Sequence, residues 1–325
     1  MTEATPAHAL VLTAGLGRRL RPLTDVRAKP AVPVAGEALI RRVLRWLAGQ
    51  GVREAVLNLH HRPETITRLV GDGSALGLRI RYAWEPTLLG SAGGPRAMLP
   101  LVEPGSTLIA NGDTLTDLSL EALGLEHRRS KARVTLAVVD NPDPARYGGV
   151  EVDDEGWVRA FLPAGHQAPS KHFVGVQLVE PDVFASLPLG EPASTVGGVY
   201  SDLAADDRRA IRAHQVACQF LDIGTPADYL ETSLSLAPDG NLASTAGANA
   251  RIDPTARLVR TAVWDDVTIE ADCALVDCVV TDGARIPRGS QFQARALIAS
   301  SGHPALLAVP LDGRSVSAAD DAGGA

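Results

Sequence analysis

The sequence predicts an α/β protein: a doubly wound, mixed sheet followed by a short β-helix. Three observations predict it. From residue 9 to residue 139, apolar strand patterns alternate with helical ones, which puts helices on both faces of a largely parallel sheet. After Asp140 the alternation gives way to paired strands at 148–153 and 157–162 around Asp154-Glu155-Gly156, a hairpin that brings antiparallel pairing. From Asn249 onward, Ile, Leu and Val recur in steps of six, the signature of hexapeptide coils.

Each element follows from its residues. Residues 9–13 are apolar throughout and suit a central parallel strand. Residues 38–50 carry apolar side chains at 39, 40, 43, 44 and 47, a helical period closed by Gly49 and Gly51. A strand at 54–59, a short helix at 64–70 and a strand at 78–83 follow. Residues 90–99 begin as a glycine-rich loop and continue as a helix, and 106–110 form a strand ending in Asn111-Gly112-Asp113. A helix at 120–130 and a strand at 133–139 complete the alternation. Beyond the hairpin come an apolar strand at 173–179, helices near 181–187 and 199–205, and a strand at 217–221 that delivers Asp222-Ile-Gly-Thr-Pro. A helix then runs from Pro226 to about Leu236, with proline at its first position.

The C-terminal repeat has an unusual length. Residues 257–269 align with 274–286, 17 residues later; Ile252, Ile269 and Ile286 share one phase, and Leu258 and Leu275 another. A coil of three hexapeptides needs about 18 residues, so each coil is one short. The third coil fades after Phe292. These patterns divide the chain into a frayed start (1–7), a main domain (8–235), a linker (236–248), the β-helix (249–300) and a mobile tail (301–325) rich in Ala, Gly, Ser and Asp.

Composition excludes several classes. A net charge of −7 argues against general nucleic-acid binding, so any phosphate ligand must meet a local cluster of cations. No apolar run approaches the ~20 residues of a membrane helix, and no basic segment precedes an apolar stretch at the start, so neither membrane nor secretion is expected. Three cysteines are odd in number and fit a reducing cytoplasm; Cys273 and Cys278 are expected as small core residues. Only three of the 31 basic residues are lysines: Lys29, Lys131 and Lys171.

Residues 12–34 carry the clearest chemistry. A strand runs into Gly15 and Gly17, followed by Arg18, Arg19, Arg21 and Lys29. Such glycines let backbone N–H groups approach a phosphate, and the cations offset its charge. Leu20 occupies the third glycine position of a dinucleotide fingerprint, and no Gly-Lys-Ser/Thr follows, so neither an NAD site nor a Walker loop fits. Asp113 and Asp222 each end an apolar strand, where α/β sheets bind ligands, and two carboxylates with a triphosphate suit Mg²⁺. His60 and His61 point to opposite faces of a strand and are expected to be structural or exposed.

These stretches resemble the sugar-1-phosphate nucleotidyltransferases: 12–24, Lys29-Pro30, Gly71-Asp-Gly-Ser74, Leu89-Gly-Ser-Ala-Gly-Gly94, Asn111-Gly-Asp113, Arg146-Tyr-Gly-Gly-Val150 and Asp222-Ile-Gly-Thr-Pro226, in the family's order over about 8–235. The resemblance implies a Rossmann-like, GT-A-like catalytic domain with a left-handed β-helix at 249 to about 298. It implies nucleotide contacts at Ala14, Gly15, Gly17, Arg18, Glu85, Gly90 and Gly93, with Arg19 and Lys29 as catalytic cations. It implies an acceptor pocket at Asn111, Tyr147, Gly148 and Gly149, and Mg²⁺ on Asp113 and Asp222. Gly90 and Gly93 are expected to allow close approach to base and sugar.

Two departures stand out. Arg18 replaces the family's usual Thr or Ser. The family's Phe-x-Glu-Lys-Pro, whose lysine grips the sugar phosphate, is here Phe161-Leu162-Pro163, leaving Lys171 or Arg159 to substitute. Glu85 tilts the base towards guanine, which offers two adjacent N–H donors, so GTP and mannose 1-phosphate are the favoured substrates. Mannose-1-phosphate guanylyltransferases are the nearest likeness. Uridylyl, thymidylyl or adenylyl transfer to heptose, glucose or N-acetylmuramate 1-phosphate, or a non-catalytic regulatory homologue, are the alternatives. So short a β-helix buries its ends poorly, so it is expected to pack on the catalytic domain or on another subunit, the latter giving a homo-oligomer through the β-helix.

Overall fold

The computed structural model describes residues 6–300 and 305–311, and these divide into two compact units. The first runs up to Gly15 and resumes over Ile40–Leu221; the second joins Leu16–Leu39 to the chain from Asp222 onward. The stretch expected to bind phosphates therefore belongs for the most part to the C-terminal unit. The expected N-terminal fraying and C-terminal tail fall largely outside the described residues.

The first unit is built on nine strands: β1 His8–Leu12, β2 Glu54–Leu59, β3 Arg79–Trp84, β4 Thr107–Asn111, β5 Val134–Asp140, β6 Gly149–Val152, β7 Val158–Leu162, β8 Lys171–Val179 and β9 Ile211–Gln215. They form one mixed sheet in the order β7-β6-β8-β4-β1-β2-β3, with β5 also pairing β8, and β9 pairing β5. The pairs β4–β1, β1–β2 and β2–β3 are parallel. Strand β8 is antiparallel to β4, β5 and β6 and turns the parallel half into the mixed half. Ala9, Leu10 and Val11 are wholly buried, as a strand covered on both faces requires.

Helices α1 Leu39–Gly49, α2 Pro63–Val70, α3 Gly90–Met98, α4 Leu120–Ser130, α5 Asp182–Ala185 and α6 Tyr200–Asp206 connect the strands. Leu39, Ile40, Val43, Leu44 and Leu47 are all buried, so the helical period of α1 is its packing face. Ser119 caps α4 by accepting from the Ala122 N–H at 3.3 Å, and Lys131 ends it with φ +54°. Strand β9 was not expected, although its five residues, Ile-Arg-Ala-His-Gln, alternate apolar and polar at first and bury Ile211 and Ala213 on one face.

The second unit combines residues 16–39 with α7 Pro226–Leu236 and a C-terminal ladder of short strands. Thr225 and Asp228 form a reciprocal capping box on α7. The ladder consists of three parallel sheets that advance 17 residues at each step. Ile252 pairs with Ile269 and Ile269 with Ile286; Leu258 pairs with Leu275 and Leu275 with Phe292. Left-handed φ values recur in the same steps, at Asn249, Asp266 and Gly283 and at Arg260, Asp277 and Ala294, so every coil turns at matching corners. Cys273 and Cys278 are buried in the ladder core with Val267, Ile269 and Leu275.

Two expectations need correction. The third coil does not fade after Phe292, because Arg295–Ala299 continues the third parallel sheet. Residues expected to begin the mobile tail instead form the strand Leu306–Pro310, antiparallel to Arg295–Ala299. By this pairing the strand covers what would otherwise be an open sheet edge, and Leu306 and Ala308 pack against the ladder core.

Candidate active site

In the first unit, β1, β2 and β4 end side by side: Leu12 opposes Asn111, and Val11 opposes Leu57. Carboxyl ends of parallel strands form the crevice in which open α/β sheets bind ligands. Here they open into a pocket of about 280 Å³. Ala14 and Gly15 from the loop after β1, Asn58 from β2, Gly90 and Ser91 from the start of α3, and Asn111 and Asp113 from the end of β4 line it. Gly112 is glycine because β1 lies against it: its N–H donates to Leu12 O at 2.9 Å, and a Cβ there would sit 2.5 Å from Thr13 Cγ2. Four residues expected from the sequence, Ala14, Gly15, Asn111 and Asp113, thus meet in one place, with Gly90 at its edge.

Glu85 joins a buried hydrogen-bonded relay. It is 1% exposed, so it is not a solvated charge. Both its oxygens are also occupied by the protein. Asn58 Nδ2 donates to Oε1 at 2.7 Å, and the Leu89 N–H donates to Oε2 at 2.9 Å. Asn58 Oδ1 in turn accepts from the Thr13 N–H at 2.7 Å, and the Thr13 hydroxyl donates to the Asn58 carbonyl. A buried carboxylate is stabilised by such donors. The relay fixes the start of the Ala14-Gly15 loop relative to α3, and Glu85 holds it in place.

The glycines of α3 are likewise explained by the protein. A Cβ at Gly90, which has φ +76°, would lie 2.6 Å from Ala193 O; one at Gly93 would lie 2.6 Å from Glu191 O. Segment 191–193 packs there, with Ala193 N donating to Leu89 O and Ala92 N to Ala193 O, both at 2.9 Å. Gly90 lines the pocket, and Gly93 is buried against this segment outside the lining. Gly94 leaves room for the relay: a Cβ there would be 2.9 Å from both Asn58 Nδ2 and Glu85 Oε1.

Of the expected acceptor residues, Asn111 lines the pocket, whereas Tyr147, Gly148, Gly149 and Lys171 lie outside its lining. The Tyr147 ring stacks on His172 at 4.7 Å, and His172 on Phe220 at 5.0 Å. A Cβ at Gly149 would meet Ser170 Oγ at 2.5 Å and His166 Nε2 at 2.6 Å, so this glycine too is a packing requirement. Gly148 precedes it with the Leu162 carbonyl nearby. Lys171 Nζ donates to Asp140 Oδ1 at 2.6 Å, and that bond and charge hold the Asp140 carboxyl below its ordinary range. Arg159 is bonded to Asp153 and, at 3.0 Å, to Arg208 O. Both cations put forward for the missing Glu-Lys pair therefore carry carboxylate partners.

The second unit carries the cationic stretch. Gly17 has φ +59°, and a Cβ on it would lie 2.7 Å from Thr24 Cγ2 and 3.1 Å from Lys29 Cβ. Thr24 Oγ1 donates to Gly17 O at 3.0 Å, so the loop folds back on itself and brings Lys29 beside the glycine turn. Arg18 and Arg19 are exposed in the short turn Arg18–Leu20. Arg19 and Asp222 converge on Gly224, whose ideal Cβ position is 3.3 Å from Arg19 Nη1 and 3.3 Å from Asp222 Oδ2.

Sequence reasoning missed Thr13, Asn58 and Gly175. Asn58 had a signal: it is the one polar residue inside the strand Glu-Ala-Val-Leu-Asn-Leu after its first position, where Asn is disfavoured. Gly175 interrupts β8 with φ +81°, and a Cβ there would lie 2.6 Å from Asn111 Nδ2 and 2.8 Å from Thr114 Oγ1. A glycine inside a strand marks such an approach.

This arrangement has counterparts. Residues 8–238 match the nucleotidyl transferase family model, and the chain belongs to that family. It is 32% identical over 295 residues to the mannose-1-phosphate guanylyltransferase of Mycobacterium tuberculosis, covering 82% of each chain. It is 33% identical over 225 residues to the N-acetylmuramate alpha-1-phosphate uridylyltransferase of Neisseria meningitidis, covering 67% of this chain and 93% of that one. Among solved structures, HddC from Yersinia pseudotuberculosis, crystallised with GMP-PN, superposes with a TM-score of 0.61 at 22% identity, over 70% of this chain and 98% of that one, a likeness of fold.

Proposed function

We propose that this chain transfers a nucleotidyl group from a nucleoside triphosphate to a sugar 1-phosphate, with GTP and mannose 1-phosphate as the favoured pair. The observation that carries the reading is the strand-end pocket opened by Gly15 and Asp113 inside the matched family region. The guanylyl preference is supported by the Mycobacterium tuberculosis relative, which covers 82% of the chain. Uridylyl transfer to another sugar 1-phosphate is the second reading, favoured by the Neisseria meningitidis relative at 33% identity.

A phosphate oxygen of the sugar 1-phosphate attacks the α-phosphorus, the bond from the α-phosphorus to the bridging oxygen breaks, and pyrophosphate leaves. Positioning and charge neutralisation supply most of such catalysis. Gly15 and Gly17 give backbone access to phosphates; Arg18, Arg19 and Lys29 offset their charge, and Lys29 acts on charge that grows in the transition state. Asp113 on the pocket rim and Asp222 beside Arg19 are hard oxygen donors of the kind Mg²⁺ prefers. Bound there, Mg²⁺ supplies further charge neutralisation on the phosphates. Asn111, Tyr147, Gly148, Gly149 and Lys171 remain the proposed acceptor side, with Lys171 required to exchange Asp140 for the sugar phosphate.

The C-terminal ladder, with its steps of 17 residues, we read as a left-handed β-helix. Self-association through it and a cytoplasmic location belong to the same reading; no helix among the described residues is long and apolar enough to cross a membrane. Pyrophosphate release by the purified chain, measured across four nucleoside triphosphates and a panel of sugar 1-phosphates, tests the function. GTP with mannose 1-phosphate is expected to give the highest kcat/KM. Release with no pair would overturn nucleotidyl transfer, and a higher value with UTP would select the second reading.

A further inference from the structure

Between Gly17 and Lys29 lies a buried arginine. Arg27 is 8% exposed. Its Nε donates to Asp282 Oδ2 at 2.7 Å, and its Nη2 donates to Asp282 Oδ1 at 2.6 Å and to Asp265 Oδ2 at 2.5 Å. The guanidinium also lies 5.4 Å from the Trp264 ring centroid. Asp265 and Asp282 occupy the same place in successive coils, 17 residues apart, and the Asp265 N–H donates to Asp282 Oδ1 at 3.2 Å. Asp265 Oδ1 is held by the Ala248 N–H at 2.7 Å. The two carboxylates are thus held by the ladder's own backbone as well as by Arg27.

A second tether lies on the other side of Lys29. Trp264 Nε1 donates to the Tyr229 hydroxyl at 2.9 Å, and Tyr229 donates to Pro33 O at 2.8 Å, with all three residues buried. The stretch 27–33 is therefore pinned at both ends to residues 264, 265 and 282, and Lys29 sits between the pins. Nothing ties this double anchorage to binding of a ligand. The geometry points to Arg27 as a positioning residue through which the C-terminal ladder holds Lys29 and the phosphate-binding turn in their working conformation.

This inference rests on the nucleotidyl-transfer reading for its effect on rate, but not for its effect on the loop. The substitution Arg27→Lys keeps the charge and loses the two-pronged bond to Asp282. Misplacement of a catalytic group by about 1 Å costs on the order of 10² in rate. Arg27→Lys is expected to lower kcat by about 10–100-fold with KM for the sugar 1-phosphate within about twofold, at an unchanged far-ultraviolet spectrum. Hydrogen exchange at amides 17–31 is expected to rise at the same time, while exchange in the strand 107–111 stays as it was. If Arg27→Lys does not fold, Asp282→Asn, which keeps a carbonyl acceptor, is measured in its place. A folded variant with wild-type kcat, or with unchanged exchange over 17–31, would overturn the inference. A wild-type chain without turnover but with raised exchange in the variant would overturn the functional reading and leave the tether standing.

Discussion

Asn58 donates to Glu85 at 2.7 Å and with its other amide atom accepts the Thr13 N–H, also at 2.7 Å. One side chain thereby joins the carboxylate before α3 to the loop after β1. Replacing Glu85 by Gln puts an NH₂ where only donors already point, at either the Asn58 amide or the Leu89 N–H. A buried donor left unpaired costs about 1–3 kcal/mol. Glu85→Gln is expected to lower kcat/KM for every nucleoside triphosphate by a similar factor. Loss confined to GTP would make Glu85 a reader of the base instead.

Gly175 and Asn111 give a second prediction. At φ +81°, and with Asn111 Nδ2 only 2.6 Å from the place of a Cβ, Gly175→Ala strains the backbone and pushes the Asn111 amide. A melting experiment is expected to show a loss of about 1–3 kcal/mol, and kcat/KM is expected to fall with it. Unchanged stability and activity would mean that β8 yields there at no cost.

Stability is expected to depend on pH through His127 and, in the same direction, through His214. Burial pushes the His127 imidazole below its ordinary value of 6.5, and the hydrogen bond and charge of Glu180 recover only part of that. Burial lowers His214 likewise. A group depressed in the folded state binds more protons when unfolded, so its contribution is complete above about pH 6.5 and declines as pH falls below that value. Urea denaturation at several pH values between 8 and 5 is expected to show this decline, and His127→Gln to flatten it. Parallel slopes for the two proteins would remove His127 as its source.

Much of the fold was legible because its elements have strong periods. The face of α1, the strand Glu54–Leu59 and the 17-residue coil step are each written in the positions of apolar residues. Strand β9 was not, because its partner β5 lies far away in sequence, and the strand Leu306–Pro310 was not, because it is a short apolar run set among Ala, Gly, Ser and Asp. The site shows the same division. Gly17, Lys29, Asn111 and Asp113 declare themselves by residue type and by position at strand ends or turns. The burial of Glu85, the engagement of Lys171 with Asp140 and the anchorage of Arg27 depend on which side chains tertiary packing brings within 3 Å, and no local spacing encodes that.

The central claim is that Lys29, held beside the Gly17 turn, neutralises charge that grows as pyrophosphate departs. Single-turnover pyrophosphate release by Lys29→Ala, at saturating nucleoside triphosphate and sugar 1-phosphate, tests it most directly. The expected result is a folded protein whose rate falls by about 10²–10³. Release at close to the wild-type rate would contradict the account.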